Sequence, residues 1–476
     1  VVRILIVAVV WCGTIGAFSS LFAQDSLYYN QADFLATVYR FHPVATQARL
    51  LSDVARQQLR FSRGLLDPAL KGSYTQKNFK DSRYFETFGT SVEVPFWLGD
   101  LKAGFDQNAG SRLNNENFTV PGGVSYLGIS IPVLQGLIID ERRTAILQAR
   151  AFGTIAEGER VKLINKLLLS ASKDYWDWAF AFERYRLLQE ALGFATFRFN
   201  AIRERAFQGD AAFIDTLEAY LQVQNFEQSA RQAEVDFRNM GIMLSAYLWD
   251  AEGNPVQLAG NVYPDWAQSD LPSPGSGRLL ELKTSAEVNH PELVKITGKL
   301  GQLEVERRMA AEKFKPRLDV NYSYLWGGFN VPATPEINAR TWDNSAKFGL
   351  DYKIPILFRN ERAKWQLARL KIRETELERT QLNRDIQNQI EATYNELSTQ
   401  ERLKTVQDQI VVNNTKLRDA ELRRFENGES SLFLINTRDV TLVNSRLKLF
   451  EIKAKYAKNL IQLQWAAGTV EVVAAE

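Results

Sequence analysis

The sequence predicts a mostly α chain with β: duplicated long-helix coiled-coil hairpins, plus strands that close into a transmembrane β-barrel only when several copies assemble. Three observations predict it. The chain matches itself at a long offset, and a helical stretch from Glu361 to Asn427 contains neither Gly nor Pro. Nothing after residue 23 offers the roughly eighteen consecutive apolar residues that a spanning helix needs, so a membrane role falls to strands.

Composition excludes much of the alternative chemistry. Among 476 residues, 58 basic and 56 acidic side chains leave a formal charge of +2. A nucleic-acid surface would show as excess Lys and Arg, so no nucleic acid is expected. Two histidines, three methionines and one cysteine leave no basis for a zinc or copper site or a disulfide framework, and no cofactor is expected. Walker-type loops, Gly-x-Ser-x-Gly elbows and His-Glu-x-x-His helices are missing, and the acids sit on charged helix faces at i, i+3 and i+4, where such groups are solvated. Catalysis is therefore not expected.

Residues 1–23 read as a signal peptide: Arg3, an apolar run from Ile4 through Ile15, and small residues ending at Ala23. Leu21 is larger than the usual side chain three places before a cut. Cys12 follows Trp11 rather than a small residue, which disfavours lipidation. The first repeat spans 24–249, an irregular inter-repeat segment 250–285, the second repeat 286–468 and a tail 469–476. His42-Pro43 recurs as His290-Pro291, and at the same offset of 248, Pro68 meets Pro316, Leu70 meets Leu318 and Tyr74 meets Tyr322. A second offset of 219, shorter by 29, aligns Arg143 with Arg362, Tyr175 with Tyr394, Arg205 with Arg424 and Gly209 with Gly428. The first half therefore carries extra sequence in its strand region.

Each half has the same order of elements. A helical stretch (about Gln31 to Leu66, then about Glu287 to Phe314) stops before Pro68 or Pro316, because proline biases its predecessor out of the helical region. Alternating aromatic-rich segments follow at Leu70–Phe79 and Gly123–Val133, then at Leu318–Phe329 and Ser345–Ile356, about four strands in all. Residues 85–112 look like an added hairpin turning at Leu98-Gly99-Asp100. Long helices come next, from Asp140 to Gln208 and from Glu361 to Asn427, the latter about 100 Å long at about 1.5 Å per residue. Leu403, Val406, Ile410 and Leu417 fall on a heptad, the seam of a coiled coil. Gly209 and Gly428 end the long helices, and returning helices reach about Trp249 and Trp465. The run Tyr175, Trp176, Trp178, Phe180 and Phe182 reads as packing between helices. Tyr84, Phe96, Trp97, Trp326 and Trp342 suit the interfacial belts of a barrel.

This order, His-Pro, helix, Pro, strands, Ile-Pro, long helix, Gly turn and returning helix, occurs twice. It resembles the TolC-like outer-membrane efflux proteins over essentially the whole chain after the signal segment. The most specific pieces are Gly428-Glu-Ser-Ser-Leu-Phe-Leu-Ile-Asn436, the strand end from Gly349 to Pro355, and the duplicated Arg-x3-Gly turns. The resemblance implies a homotrimer in the cell outer membrane with a helical tunnel across the periplasm. It also implies docking to a periplasmic adaptor and an inner-membrane transporter, and a passive exit duct for efflux or type I secretion. Family members place an Asp six residues after the turn glycine; here Asp215 keeps it, with Glu218 three residues on, and the second half has Leu434 instead. Asp215 and Glu218 are thus gate candidates. Arg205, Gly209, Arg424 and Gly428 are candidates for adaptor docking, while the glycines also cap helices and the arginines complement helix C-termini. The competing expectation is a soluble periplasmic coiled-coil scaffold or adaptor, which would account for the helices but not for strands placed alike in both repeats.

Overall fold

A computed structural model describes residues 28–266, 275, 277–328 and 345–470; the signal segment and Trp342 lie outside them. The first short strand, β1 (Tyr28–Tyr29), leads into α1 (Gln31–Phe41), whose Asn30 cap accepts the amide of Asp33 at 2.7 Å. Pro43 holds His42 in extended backbone (ψ 135°), so the chain bends there. His42 then caps α2 (Pro43–Arg63), its Nδ1 accepting the Val44 amide at 3.1 Å. The second repeat does the same: His290 separates α5 (Arg278–Asn289) from α6 (Pro291–Glu312) and accepts the Glu292 amide at 3.3 Å. Each expected single helix is therefore two helices broken at His-Pro. Helix α5 also takes up the end of the segment expected to be irregular.

The strands form one antiparallel sheet in the order β2 (Ala69–Phe79), β3 (Ser82–Phe96), β4 (Gly99–Ala109), β5 (Val124–Pro132), β7 (Arg317–Gly327), β8 (Ala346–Lys353). The short β6 (Tyr263–Pro264) pairs in parallel with β1 elsewhere. Among the described residues six strands stand in this sheet where about four were expected, because β3 and β4 join it. Their turn is Trp97-Leu98, with Gly99 and Asp100 already paired, one residue earlier than the sequence suggested. At the other end of β3, Lys80 and Asp81 both have positive φ (48° and 58°), the backbone of a two-residue hairpin turn whose twist matches the strands.

Two helical hairpins complete the chain. Helix α3 (Glu141–Phe207) returns through α4 (Phe213–Ser245), and α7 (Arg359–Glu426) through α8 (Leu432–Ala466). At about 1.5 Å per residue, the 67 residues of α3 and 68 of α7 each reach about 100 Å. No helix among the described residues is long and apolar enough to cross a membrane. The main core lies where α1 and β1 cross α3, around Phe34, Val38, Tyr175, Trp176, Trp178 and Leu244. Tyr175 donates its hydroxyl to the Tyr29 carbonyl at 2.8 Å. The aromatic run of α3 is packing, with Phe182 also buried and Phe180 half-buried.

Helices α3 and α6 approach closely through two glycines. A Cβ on Gly158 would lie 2.7 Å from Lys295 Cγ and 2.8 Å from the Pro291 carbonyl oxygen. One on Gly298 would lie 2.7 Å from Ile155 Cγ1. The heptad Leu403, Val406, Ile410 and Leu417 is 40–53% exposed, so it is not the seam of α7 with its own chain. The apolar stripe that α7 buries internally runs higher up, through Ile386, Ile390 and Leu397.

Candidate functional site

The sheet has two chemically opposite faces. Residues directly opposite across strands share a face, so one row can be followed through all six. One row reads Leu70, Val92, Ala103, Leu127, Tyr324, Ala346; the row one residue away reads Ala69, Glu93, Lys102, Gly128, Ser323, Lys347. On β7 the apolar face continues as Leu318, Val320, Tyr322, Tyr324 and Trp326, about 25 Å at the usual rise per residue. That matches the apolar band of a membrane barrel. Large apolar side chains of this face stay exposed in the single chain, Leu70 at 77% and Phe348 at 68%. The other face is polar and charge-balanced: Glu93 pairs with Lys71 and, at 3.3 Å, with Lys102, while Arg317 pairs with Asp319 at 2.6 Å.

Among the described residues, β2 and β8 are the outermost strands and their outer edges are unpaired. With six antiparallel strands, they run in opposite directions. The β2 of a second copy can therefore pair antiparallel with β8 and continue both faces.

The junction between sheet and helices is held by α3. Its Asp140 cap accepts the Arg143 amide at 2.7 Å. Arg143 Nη1 donates to the carbonyls of Leu137 (2.7 Å) and Ile138 (2.6 Å), and Nη2 donates to that of Trp97 (2.6 Å). The same guanidinium lies 5.0 Å over the Trp97 ring, and Arg142 pairs with Asp100 at 2.6 Å. In the sequence, Arg143 was visible only as a repeat marker; its hold on the β3–β4 turn depends on a neighbour 46 residues away.

At the opposite end, the two helix turns come together. Gly209 (φ +83°) and Gly428 (φ +78°) take the left-handed conformation. The amide of Asp210 donates to the Arg205 carbonyl and that of Glu429 to the Arg424 carbonyl, each at 2.8 Å, while the glycine amides bond one residue further in. This is the Schellman arrangement, and it uses the backbone of both arginines. Their side chains stay exposed; Arg424 reaches the Glu429 carbonyl at 3.4 Å and Glu421 at 3.8 Å. Ile202 and Ala219 pack with Leu432 and Ile435, fixing the two turns side by side.

A polar bridge, not foreseen from the sequence, crosses between the hairpins just inside the turns. Arg198 pairs with Asp439 and donates to Asn436 Oδ1 at 3.2 Å; Asn436 Nδ2 donates to Glu218 at 3.5 Å. Glu218 thus joins the bridge. Asp215, in the first turn of α4, is half-exposed and stands outside it. Asn436 and Asp439 sit three residues apart on α8, but only the packing of the two hairpins shows that they face Arg198. The bridge borders a cleft of about 770 Å³, lined by Arg198 and Asp439 themselves and by Phe194, Arg205, Arg418 and Phe425. Among the described residues, no group of three or more His, Cys, Asp or Glu could hold a metal ion.

Residues 282–469 match the family described as outer membrane efflux protein. No curated protein matches the chain by sequence. Among solved structures, the Campylobacter jejuni CmeC outer membrane channel superposes with a TM-score of 0.62 at 14% identity, covering 93% of this chain and 86% of that one. The outer membrane protein VceC of Vibrio cholerae gives 0.62 at 12%, covering 92% and 96%. The fold is that of these outer-membrane proteins. The Neisseria gonorrhoeae MtrE outer membrane channel, in its open state, gives 0.62 at 13%, covering 92% and 88%. The family match falls in the second repeat, and the described residues of the first repeat carry the same order of helix, strands, long helix and returning helix.

Proposed function

We propose that the chain is a passive exit duct in the cell outer membrane, with a periplasmic extension, and that three copies close its barrel and tunnel. The observation that carries this reading is the two-faced sheet with oppositely directed free edges, continuous with helices about 100 Å long. A bilayer tolerates such a sheet only when it is closed. The likeness to outer-membrane channels supports the location. An apolar band on one side of six strands disfavours a soluble scaffold.

The duct works in a tripartite efflux or type I secretion system, with a periplasmic adaptor and an inner-membrane transporter supplying the energy. It needs no cofactor and performs no catalysis. The paired turns around Gly209 and Gly428, with exposed Arg205 and Arg424, are the adaptor-docking end. Three Asp215 carboxylates near the axis form a cation-favouring gate, with Glu218 tied into the bridge beside it.

Electron microscopy of the chain extracted in detergent tests the reading. A three-fold elongated particle with a detergent belt at one end is expected; a detergent-independent rod sinks it. Asp215→Ala should then lower cation selectivity in bilayer recordings. Unchanged selectivity would remove Asp215 from the gate.

A further inference from the structure

The β3–β4 hairpin has no counterpart in the second repeat among the described residues. Among the described residues, repeat two contributes β7 and β8, whereas repeat one contributes β2, β3, β4 and β5. The drop of 29 between the two repeat offsets is close to the length of β3 through β4. An insertion of two strands is even, so it leaves the direction of β5 and the polarity of both sheet edges unchanged.

Three features make the hairpin part of the wall rather than an appendage. Both of its strands carry the rows described above, with Val92 and Ala103 on the apolar face and Glu93 and Lys102 on the polar one. Its β4 is fitted to β5: a Cβ on Gly104 would meet the Tyr126 ring, and one on Gly99 would meet the Ser130 carbonyl. Its turn is clamped to the start of α3 by Arg142 and Arg143.

Resting on the exit-duct reading, we propose that this hairpin is a permanent segment of the membrane-spanning wall. Three copies then close eighteen strands, where a repeat-two pair in each half would close twelve. Barrel diameter grows roughly linearly with strand number, so the outer opening is about 1.5-fold wider. Across β2, β3 and β4 the polar face pairs Glu93 with both Lys71 and Lys102. The outer opening is therefore suited to bulky water-soluble cargo.

The test is electron cryomicroscopy of the full chain in lipid nanodiscs, joined to cysteine labelling. Eighteen strands are expected. A closed twelve-strand ring with the hairpin outside it overturns the proposal but not the duct; failure to enter lipid at all overturns the duct. In the assembled full chain, Ser91→Cys should react with a charged, water-soluble maleimide, and its sequence neighbour Val92→Cys should be at least tenfold slower. Equal rates overturn the wall assignment. Deleting residues 76–121 leaves Leu70 opposite Leu127 and should shrink the largest neutral polyethylene glycol that enters from the barrel side by about a third in diameter. An unchanged cutoff overturns the proposed width. If that variant does not assemble, the strand count and the labelling decide.

Discussion

Gly158 and Gly298 show how much the α3–α6 contact depends on a missing methyl group. Filling either site forces a shift of backbone, because the nearest atoms include the Pro291 carbonyl and the Ile155 amide. Gly158→Ala should cost about 1–3 kcal/mol, as over-packing does, read as a lower denaturant midpoint. A midpoint equal to that of the unaltered chain would show that the helices separate freely. A titrating effect belongs to His290. Burial pushes its imidazole down to about 4 from an ordinary 6.5. Between those values the unfolded chain binds a proton that the folded chain refuses, so stability falls as pH drops through that window and levels off below it. The loss is at most about 3 kcal/mol. Hydrogen exchange of the first α6 amides should quicken from pH 6.5 to 4 beyond its intrinsic pH dependence, whereas His290→Asn keeps a cap without the proton. Identical pH profiles would dismiss the effect. Burial lowers His42 in the same direction. The His-Pro pairs were legible as repeat markers, and the turn glycines as helix ends. That His-Pro breaks a helix was missed because the flanking segments have the same helical character. The tightness at Gly158 was not legible, because it belongs to a partner helix more than a hundred residues away.

The heptad on α7 was legible as an apolar stripe, and its own chain leaves it uncovered. Period and spacing announce an apolar stripe; they do not say what covers it. Within one chain α7 buries Ile386, Ile390 and Leu397, leaving Leu403, Val406, Ile410 and Leu417 open. In the proposed assembly a second copy covers them. Val406→Asp with Ile410→Asp should leave the helical signal of the solubilised chain unchanged and shift its mass toward the single chain. An unchanged assembly mass would remove this stripe from the interface. The strands were legible through their alternation, and the added hairpin through the shift of repeat offset. Its membership of the sheet was not, since alternation fits a cap and a wall equally well. The bridge of Arg198, Asn436, Asp439 and Glu218 was invisible for a related reason: isolated charged residues on long helices give no sign of which few are turned inward.

For the whole molecule, the decisive property is that, among the described residues, the sheet of one chain is open at both ends. The exposed edges of β2 and β8 leave backbone donors and acceptors that lipid cannot satisfy. In the proposed duct, a solitary chain would therefore have no stable place in the hydrocarbon layer, and its entry would be coupled to ring closure. The kinetics of appearance in the membrane should carry the signature of a multi-body encounter. Halving the supply of chains should lower the initial rate of barrel formation by well over twofold, measured as heat-resistant oligomer in added vesicles. A rate proportional to chain concentration would mean that single chains insert first and join later.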